Sequence, residues 1–547
     1  MTVPILSAEI NGAFVATGRK RAVARIGATC VARRGVGRHC FAVDWDACWL
    51  DDRPIQCEDD WRALLAANRL ADVEGAFVVA WTDSSGTLHL ARDGVGGRTL
   101  FYAMVDDTLY FAASIKALLD TGCVAKTLRL ASVATYLTYA YLPGRETLVE
   151  GVYELLPGER VSFDGAGLRR EAFWSLPSKA ISCADETQLR DELRAELERA
   201  VQRTLPASGQ PVAVFLSGGL DSSLVVALAA KLHDAPVHTL SVSFGAGYPN
   251  ELAFSSMVAA HCGTRHQIVA LTPTTVLRYL DESIGAMSDP IGDPLTVPNA
   301  LLFREAAQHA GVVLNGEGGD PCFGGPKNLP MVLAELYAAS PMTSRSREAS
   351  YLSAHLKCYD DLHAMLSADA RAALAAAPLE PMLTPMLNDP ARPDLVARLQ
   401  AINIAFKGAH HILPKVDALS APMGVVPRAP LFDRRVVTLA LRLPSRMKLN
   451  GSIEKYLLKE SVRDLLPRTI IERPKSGMLV PVEAWFRGPL LPAARERILE
   501  GIAPRGLFER DYLERLLAGR LGGLRPRHGA KIWLLVTLEA WLRGMGM

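Results

Sequence analysis

Short apolar runs bounded by turn residues fill the first 120 positions. "GAFVVAWTD" (75–83), "TLHLARD" (87–93) and "DTLYFAAS" (107–114) alternate or run apolar, as strands do. They predict a β-rich N-terminal domain with a few helices. Over 125–175 the pattern is mixed, and "LPG" recurs at 142–144 and 156–158. Those turn signals predict a connecting region. From about 187 the period changes. "ETQLRDELRAELERAVQRTL" (186–205) places leucines on one helical face. A strand (Val212–Leu216), a glycine loop and an apolar helix from about Ser222 follow. "VHTLSVSF" (237–244) predicts the next strand, and "GVVLNGEGGD" (311–320) repeats the strand–loop pattern. Strands alternating with helices predict a parallel α/β sheet, whose ligands bind beyond the carboxyl ends of the strands. The alanine-rich stretch 363–377 predicts plain helix. No internal repeat is visible.

Composition narrows this little. A chain of 547 residues predicts two or more domains, and 49% hydrophobic with 22% charged residues is ordinary for a globular protein. A net charge of +2 offers no broad basic surface, so no nucleic-acid partner is expected. No apolar run reaches the length of a membrane span, and "MTVPILSAEI" lacks the pattern of a signal peptide. The expected location is the cytoplasm, with no membrane partner. Nine cysteines without a CxxC pair argue against a structural zinc and a disulfide framework.

The candidate chemistry centres on "VAVFLSGGLDSSLVVALAA" (212–230). Adjacent glycines let a backbone approach a ligand closely. The helix start offers free N–H groups and a positive dipole end to an anion. Ser217, Ser222 and Ser223 add hydroxyl donors. Asp221 would repel a bare phosphate, but it suits a Mg²⁺ placed between carboxylate and phosphates. The competing reading is a serine-capped glycine turn.

These motifs resemble those of the asparagine synthetase class of adenylating amide-forming enzymes. Ser217-Gly218-Gly219-Leu220-Asp221-Ser222-Ser223 resembles its pyrophosphate loop, and Gly316-Glu317-Gly318-Gly319-Asp320 its second acidic loop. Asp417, Arg428 and Pro430-Leu431-Phe432-Asp433 resemble a further stretch, and "EKYLLKE" (454–460) and "ERPKSGM" (472–478) its C-terminal segments. "LARDGVGGRTLFY" (90–102) and "AASIKALL" (112–119) resemble its glutaminase-like domain. The resemblance implies an α/β fold: a β-rich Ntn/glutaminase-like domain over 1–180, then a doubly wound parallel-sheet ATP-pyrophosphatase (adenylating) synthetase domain over 181–547. It implies ATP and Mg²⁺, with Asp221 and Asp320 as metal partners and adenine near Leu216, Val242 and Gly316. Lys475 resembles a late lysine that steadies charge on the adenylate, against a solvated loop lysine as the alternative. Glu317 is the candidate group for contacting the attacking amine, against a role as a brace for its loop.

The chain departs from the class in instructive places. Glutamine-using members carry a nucleophilic cysteine at residue 2, where this chain has Thr2. The glutamine-framing motifs are absent, with "RRGVGRH" (33–39) a remnant, so a dead glutaminase is expected; a threonine nucleophile is the alternative. Pro321 and Val426 stand where the class usually has glutamates. Four strings resemble the lasso peptide cyclases within the class: "SDPIGDPLTVPNALLF" (288–303), "GEGGDPCFGGPKNLPM" (316–331), "KCYDDL" (357–362) and "RPKSGMLVPVEAWF" (473–486). That resemblance implies a macrolactam synthetase, with a core peptide as substrate and a leader-peptide protease as partner. Segments 322–365 and 473–490 would then enclose the peptide. The alternatives are an asparagine or β-lactam-type synthetase, a tRNA-modifying enzyme and an inactive peptide-binding scaffold. A tyrosine expected in place of Glu317 counts against the β-lactam type.

Overall fold

The computed structural model describes residues 30–33, 40–164, 166–181, 185–325, 346–392, 394–474, 478–521 and 528–547. Thr2 and Lys475 lie outside the described residues, as does most of the "RRGVGRH" string. The chain divides into two compact units, residues 1–128 with 144–175, and residues 129–143 with 176–547.

The first unit is built on two antiparallel sheets. Its strands are β1 (Cys30–Arg33), β2 (Phe41–Leu50), β3 (Arg53–Pro54), β4 (Glu74–Thr82), β5 (Leu88–Arg92), β6 (Phe101–Val105), β7 (Thr108–Ala112), β8 (Val152–Glu154), β9 (Glu159–Asp164) and β10 (Gly167–Ala172). They pair in the orders β1-β7-β6-β8 and β10-β9-β5-β4-β2-β3. Alternation along β4 explains the packing. Val78 and Ala80 join Leu88, Leu90, Tyr102, Leu109, Phe111, Val161 and Phe163 in a core supplied by both sheets. Phe77 and Val79 face the other way, against Trp61 and Leu64 of the helix Glu58–Ala66. The period of two in the sequence thus becomes two buried faces.

The stretch 125–175 is more than a connector. It holds the helix Leu130–Tyr139, which belongs to the second unit, and β8–β10, which complete the sheets of the first. The LPG turns lie between these elements, so turn chemistry concealed the strands on either side.

The second unit contains a five-stranded parallel sheet of order β13-β12-β11-β14-β15. Its strands are β11 (Val212–Phe215), β12 (Val237–Ser243), β13 (Arg265–Ala270), β14 (Val312–Leu314) and β15 (Val426–Arg428). The chain moves outward from β11 to β13, then crosses back to β14 on the other side of β11. This reversal opens a crevice between the carboxyl ends of β11 and β14, the usual ligand position in a doubly wound sheet. The helix after β11 begins at Leu220, earlier than the apolar pattern indicated, with Gly219 extended as its N-cap. Asp221 and Ser222 therefore lie in its first turn. The predicted helix over 363–377 is two helices, Leu362–Met365 and Ala368–Ala376. Between them Leu366 pairs with Phe508, the Ser367 amide donates to Leu507 O at 3.0 Å, and Ser367 caps the second helix. A tertiary pairing overrides the alanine propensity there.

Candidate active site

Two loops meet across the β11–β14 crevice. After β11 the chain turns through Gly218 at φ +82°, where a Cβ would come within 2.6 Å of the Ser255 amide nitrogen. Only glycine fits both the dihedral and the approach. The serine hydroxyls fix the loop: Ser222 Oγ accepts from the Ser217 amide at 3.1 Å, and Ser217 Oγ accepts from the Gly219 amide at 3.2 Å. Ser223 is fully buried beneath them. After β14, Asn315 Oδ1 accepts from the Glu317 amide at 3.1 Å and shapes the second loop. A Cβ on Gly319 would fall on the Asp221 carboxyl group. The second glycine is needed so that the acidic loop can press against the first.

The crevice brings Asp221 and Asp320 to one cation. Lys455 Nζ donates to Asp221 Oδ1 and Oδ2 at 2.8 and 2.6 Å, and lies 2.5 Å from Asp320 Oδ1. The ammonium is almost wholly buried. The motif "EKYLLKE" contains this residue, but nothing in its spacing places it between the two carboxylates. Two carboxylates brought to one position form a donor set of the kind a divalent cation uses. Two carboxylates completed by phosphate oxygens and water are what Mg²⁺ commonly takes. Among the described residues no cluster of three or more His, Cys, Asp or Glu side chains forms a metal site.

Of the residues predicted near adenine, Leu216 and Val242 lie at the carboxyl ends of the paired strands β11 and β12. Ser241 Oγ donates to Leu216 O at 2.5 Å and ties the two ends together. Gly316 follows β14 and packs on the Ser222 backbone. The three therefore line one edge of the sheet.

Arg473 is a second residue the sequence did not single out. Its guanidinium donates to Gly218 O at 2.9 Å and to Glu251 Oε1 at 2.5 Å, and lies 3.8 Å from the centre of the Phe254 ring. The start of the "RPKSGM" segment is thereby anchored on the phosphate loop. Other motif residues turn out to be supports. Arg428 Nη1 donates to Thr204 O at 2.8 Å at the end of the helix Glu186–Thr204. Asp433 accepts the Arg435 and Val436 amides at 2.8 and 3.4 Å as a helix cap. Leu431 packs against Gly318 and closes the back of the acidic loop.

A third group stands beside these loops. Asp293 Oδ2 accepts from Lys415 Nζ at 2.6 Å and from His411 Nε2 at 3.1 Å. Tyr141 stacks on the imidazole, with ring centres 5.1 Å apart. Burial would raise the Asp293 carboxyl, but Lys415 and His411 outweigh it and hold it well below the usual range. Burial would lower Lys415, but the carboxylates of Asp293 and Glu317 hold it above the ordinary lysine value. Burial pushes His411 down to about 3, with the bond to Asp293 opposing and Lys415 adding to the shift. The set is an ionised carboxylate, an ammonium and a neutral imidazole. The i, i+4 spacing of His411 and Lys415 was the available signal, since it puts both on one helical face.

Comparison with known proteins agrees with this geometry. Residues 192–543 match the asparagine synthase family model, and residues 63–174 match a glutamine amidotransferase domain. A glutamine-hydrolysing asparagine synthetase of Bacillus subtilis is 24% identical over 520 residues, covering 88% of this chain and 80% of that protein. A putative glutamine-hydrolysing asparagine synthetase of Mycobacterium bovis is 27% identical over 525 residues, covering 88% and 79%. No helix among the described residues is long and apolar enough to cross a membrane. With a family model spanning most of its length, and with the two family loops facing each other across the sheet's switch point, the chain belongs to the asparagine synthase family and is an ATP-dependent amide ligase.

Proposed function

We propose that this ligase is a lasso peptide macrolactam synthetase: it adenylates an Asp or Glu side chain of a core peptide and lets the peptide's N-terminal amine displace AMP. The observation that carries the adenylation is the meeting of Asp221 and Asp320 on one cation beside the phosphate loop. Four strings resembling lasso cyclases, and Thr2 in place of the glutaminase cysteine, support a peptide amine over ammonia.

A carboxylate is a poor electrophile because its leaving group would be oxide. Transfer to AMP gives a mixed anhydride, and pyrophosphate leaves. The amine then bonds to the carbonyl carbon, the bond to AMP breaks, and the nitrogen sheds a proton. The first turn of the helix Leu220–Leu232 and the hydroxyls of Ser217 and Ser222 would receive the phosphates, whereas Ser223, expected to join them, is fully buried. Asp221 and Asp320 would hold Mg²⁺, which supplies charge compensation for the phosphates when bound. Lys455 keeps the two carboxylates together. Lys475 would steady the charge on the adenylate, and Glu317 would accept the proton shed by the amine. Holding the amine and the activated carboxyl of one peptide side by side gives a high effective molarity. Water must be kept from the anhydride meanwhile.

Mass spectrometry of a candidate core peptide, sought in short reading frames near this gene, tests the reading. Incubation with the protein, ATP, Mg²⁺ and the leader protease should remove one water from the peptide, and Asp221→Ala should abolish the loss. An unchanged peptide, with free aspartate converted to asparagine by ammonia, would leave an ordinary amide synthetase.

A further inference from the structure

The Asp293–His411–Lys415 cluster has more order than core packing requires. Because Asp293 is ionised, the His411 nitrogen facing it carries the proton. In a neutral ring the other nitrogen, Nδ1, is then a lone-pair acceptor. Nδ1 is buried and has no hydrogen-bond partner among the described residues. His411 itself is 8% exposed. It sits in a π-helical segment, Asn403–Ile412, which packs on the helix Gly319–Phe323 that carries Asp320. Wider π turns inside longer helices recur at functional sites. Lys415 follows one turn later and feels the charge of Glu317. The cluster therefore flanks the acidic loop on the side where the amine-contacting carboxylate lies.

Such a site suits a ligand that donates a hydrogen bond. An amine in its reactive, unprotonated form offers that donor beside the acidic loop.

We propose that the Asp293–His411–Lys415 cluster is the amine subsite of the ligase: His411 Nδ1 accepts an N–H of the attacking amine. The inference rests on the amide-forming role proposed above. In the step itself the amine nitrogen bonds to the carbonyl carbon and the carbon–oxygen bond to AMP breaks. The released proton passes to Glu317 and then to solvent. His411 positions the nitrogen and remains neutral throughout. Asp293 is a positioning residue that fixes the imidazole tautomer.

Two conservative variants separate this from a structural role. His411→Gln can keep a donor on Asp293 but loses the acceptor at Nδ1, whereas His411→Asn keeps an acceptor near Nδ1. Two activities are read with the core peptide: ATP–pyrophosphate exchange, which reports adenylation alone, and amide product per AMP released. His411→Gln should leave exchange close to the parent value and lower amide per AMP about tenfold, the size of one lost hydrogen bond. His411→Asn should recover part of that ratio. If neither variant separates the two activities, whether both fall together or both stay unchanged, the cluster is a core support and the proposal fails. Absence of peptide-dependent exchange in the parent protein would instead reject the macrolactam reading. The same ratio would then be measured with the carboxylate that does support exchange, and it decides the amine subsite there.

Discussion

Lys455 holds Asp221 and Asp320 together with a single buried ammonium, at 2.6 and 2.5 Å. Removing the ammonium takes a buried partner from both carboxylates. Lys455→Met should destabilise the second unit by about 3 kcal/mol, an upper figure because Asp320 is partly exposed. Millimolar Mg²⁺ should recover part of that loss in a denaturant titration; unchanged stability, or indifference to Mg²⁺, would contradict the shared cation position. The second residue-scale prediction concerns acid. His411 and Asp293 both have folded values below their unfolded ones, so the unfolded chain takes up their protons first. Their contribution is complete above about pH 6.5 and is lost as pH falls towards the folded values, that of His411 being about 3. Urea midpoints measured at about pH 7 and about pH 4.5 should differ in the parent and differ less in His411→Gln. Equal midpoints in the parent would remove the argument. Asp221, Glu317 and Asp320 could be picked out in the sequence because glycines punctuate their loops. Lys455 could not, since a carboxylate 234 residues away decides what it does, and His411 offered only its spacing to Lys415, its own carboxylate lying 118 residues away.

Elements were legible where one period dominated. The helix Glu186–Thr204 and strands β4, β5 and β7 lie where the pattern placed them, the helix burying one face and β4 two. The exceptions have tertiary causes: a pairing at Leu366 splits the alanine-rich stretch, and the glycine cap starts the phosphate-loop helix early. The π-helical segment Asn403–Ile412 has no sequence period of its own. Within it the backbone makes a close approach: a Cβ on Gly408 would come within 2.9 Å of Phe432 Cε1. Gly408→Ala should therefore cost about 1–3 kcal/mol of stability through overpacking. It should also lower ATP–pyrophosphate exchange, because this segment packs on the helix bearing Asp320. Thermal unfolding together with exchange checks this. If both are unchanged, the Phe432 ring yields freely and the segment does not hold the acidic loop.

At the scale of the molecule, the strand order of the second unit decides where chemistry can occur. A reversal between β11 and β14 puts the ends of two strands about one hundred residues apart in sequence beside one crevice. Alternating strands and helices in the sequence imply such a sheet, but they do not give the order, because register and neighbour choice are non-local. The interleaving at 129–143 escaped the sequence for the same reason. The central claim is that this crevice activates a side-chain carboxylate within a peptide. ATP–pyrophosphate exchange measured against a set of carboxylates tests it most directly. The core peptide with its acceptor Asp or Glu should support exchange, while the same peptide with Asn or Gln at that position, and free aspartate, should not. Exchange driven by free aspartate and not by the peptide would contradict the account.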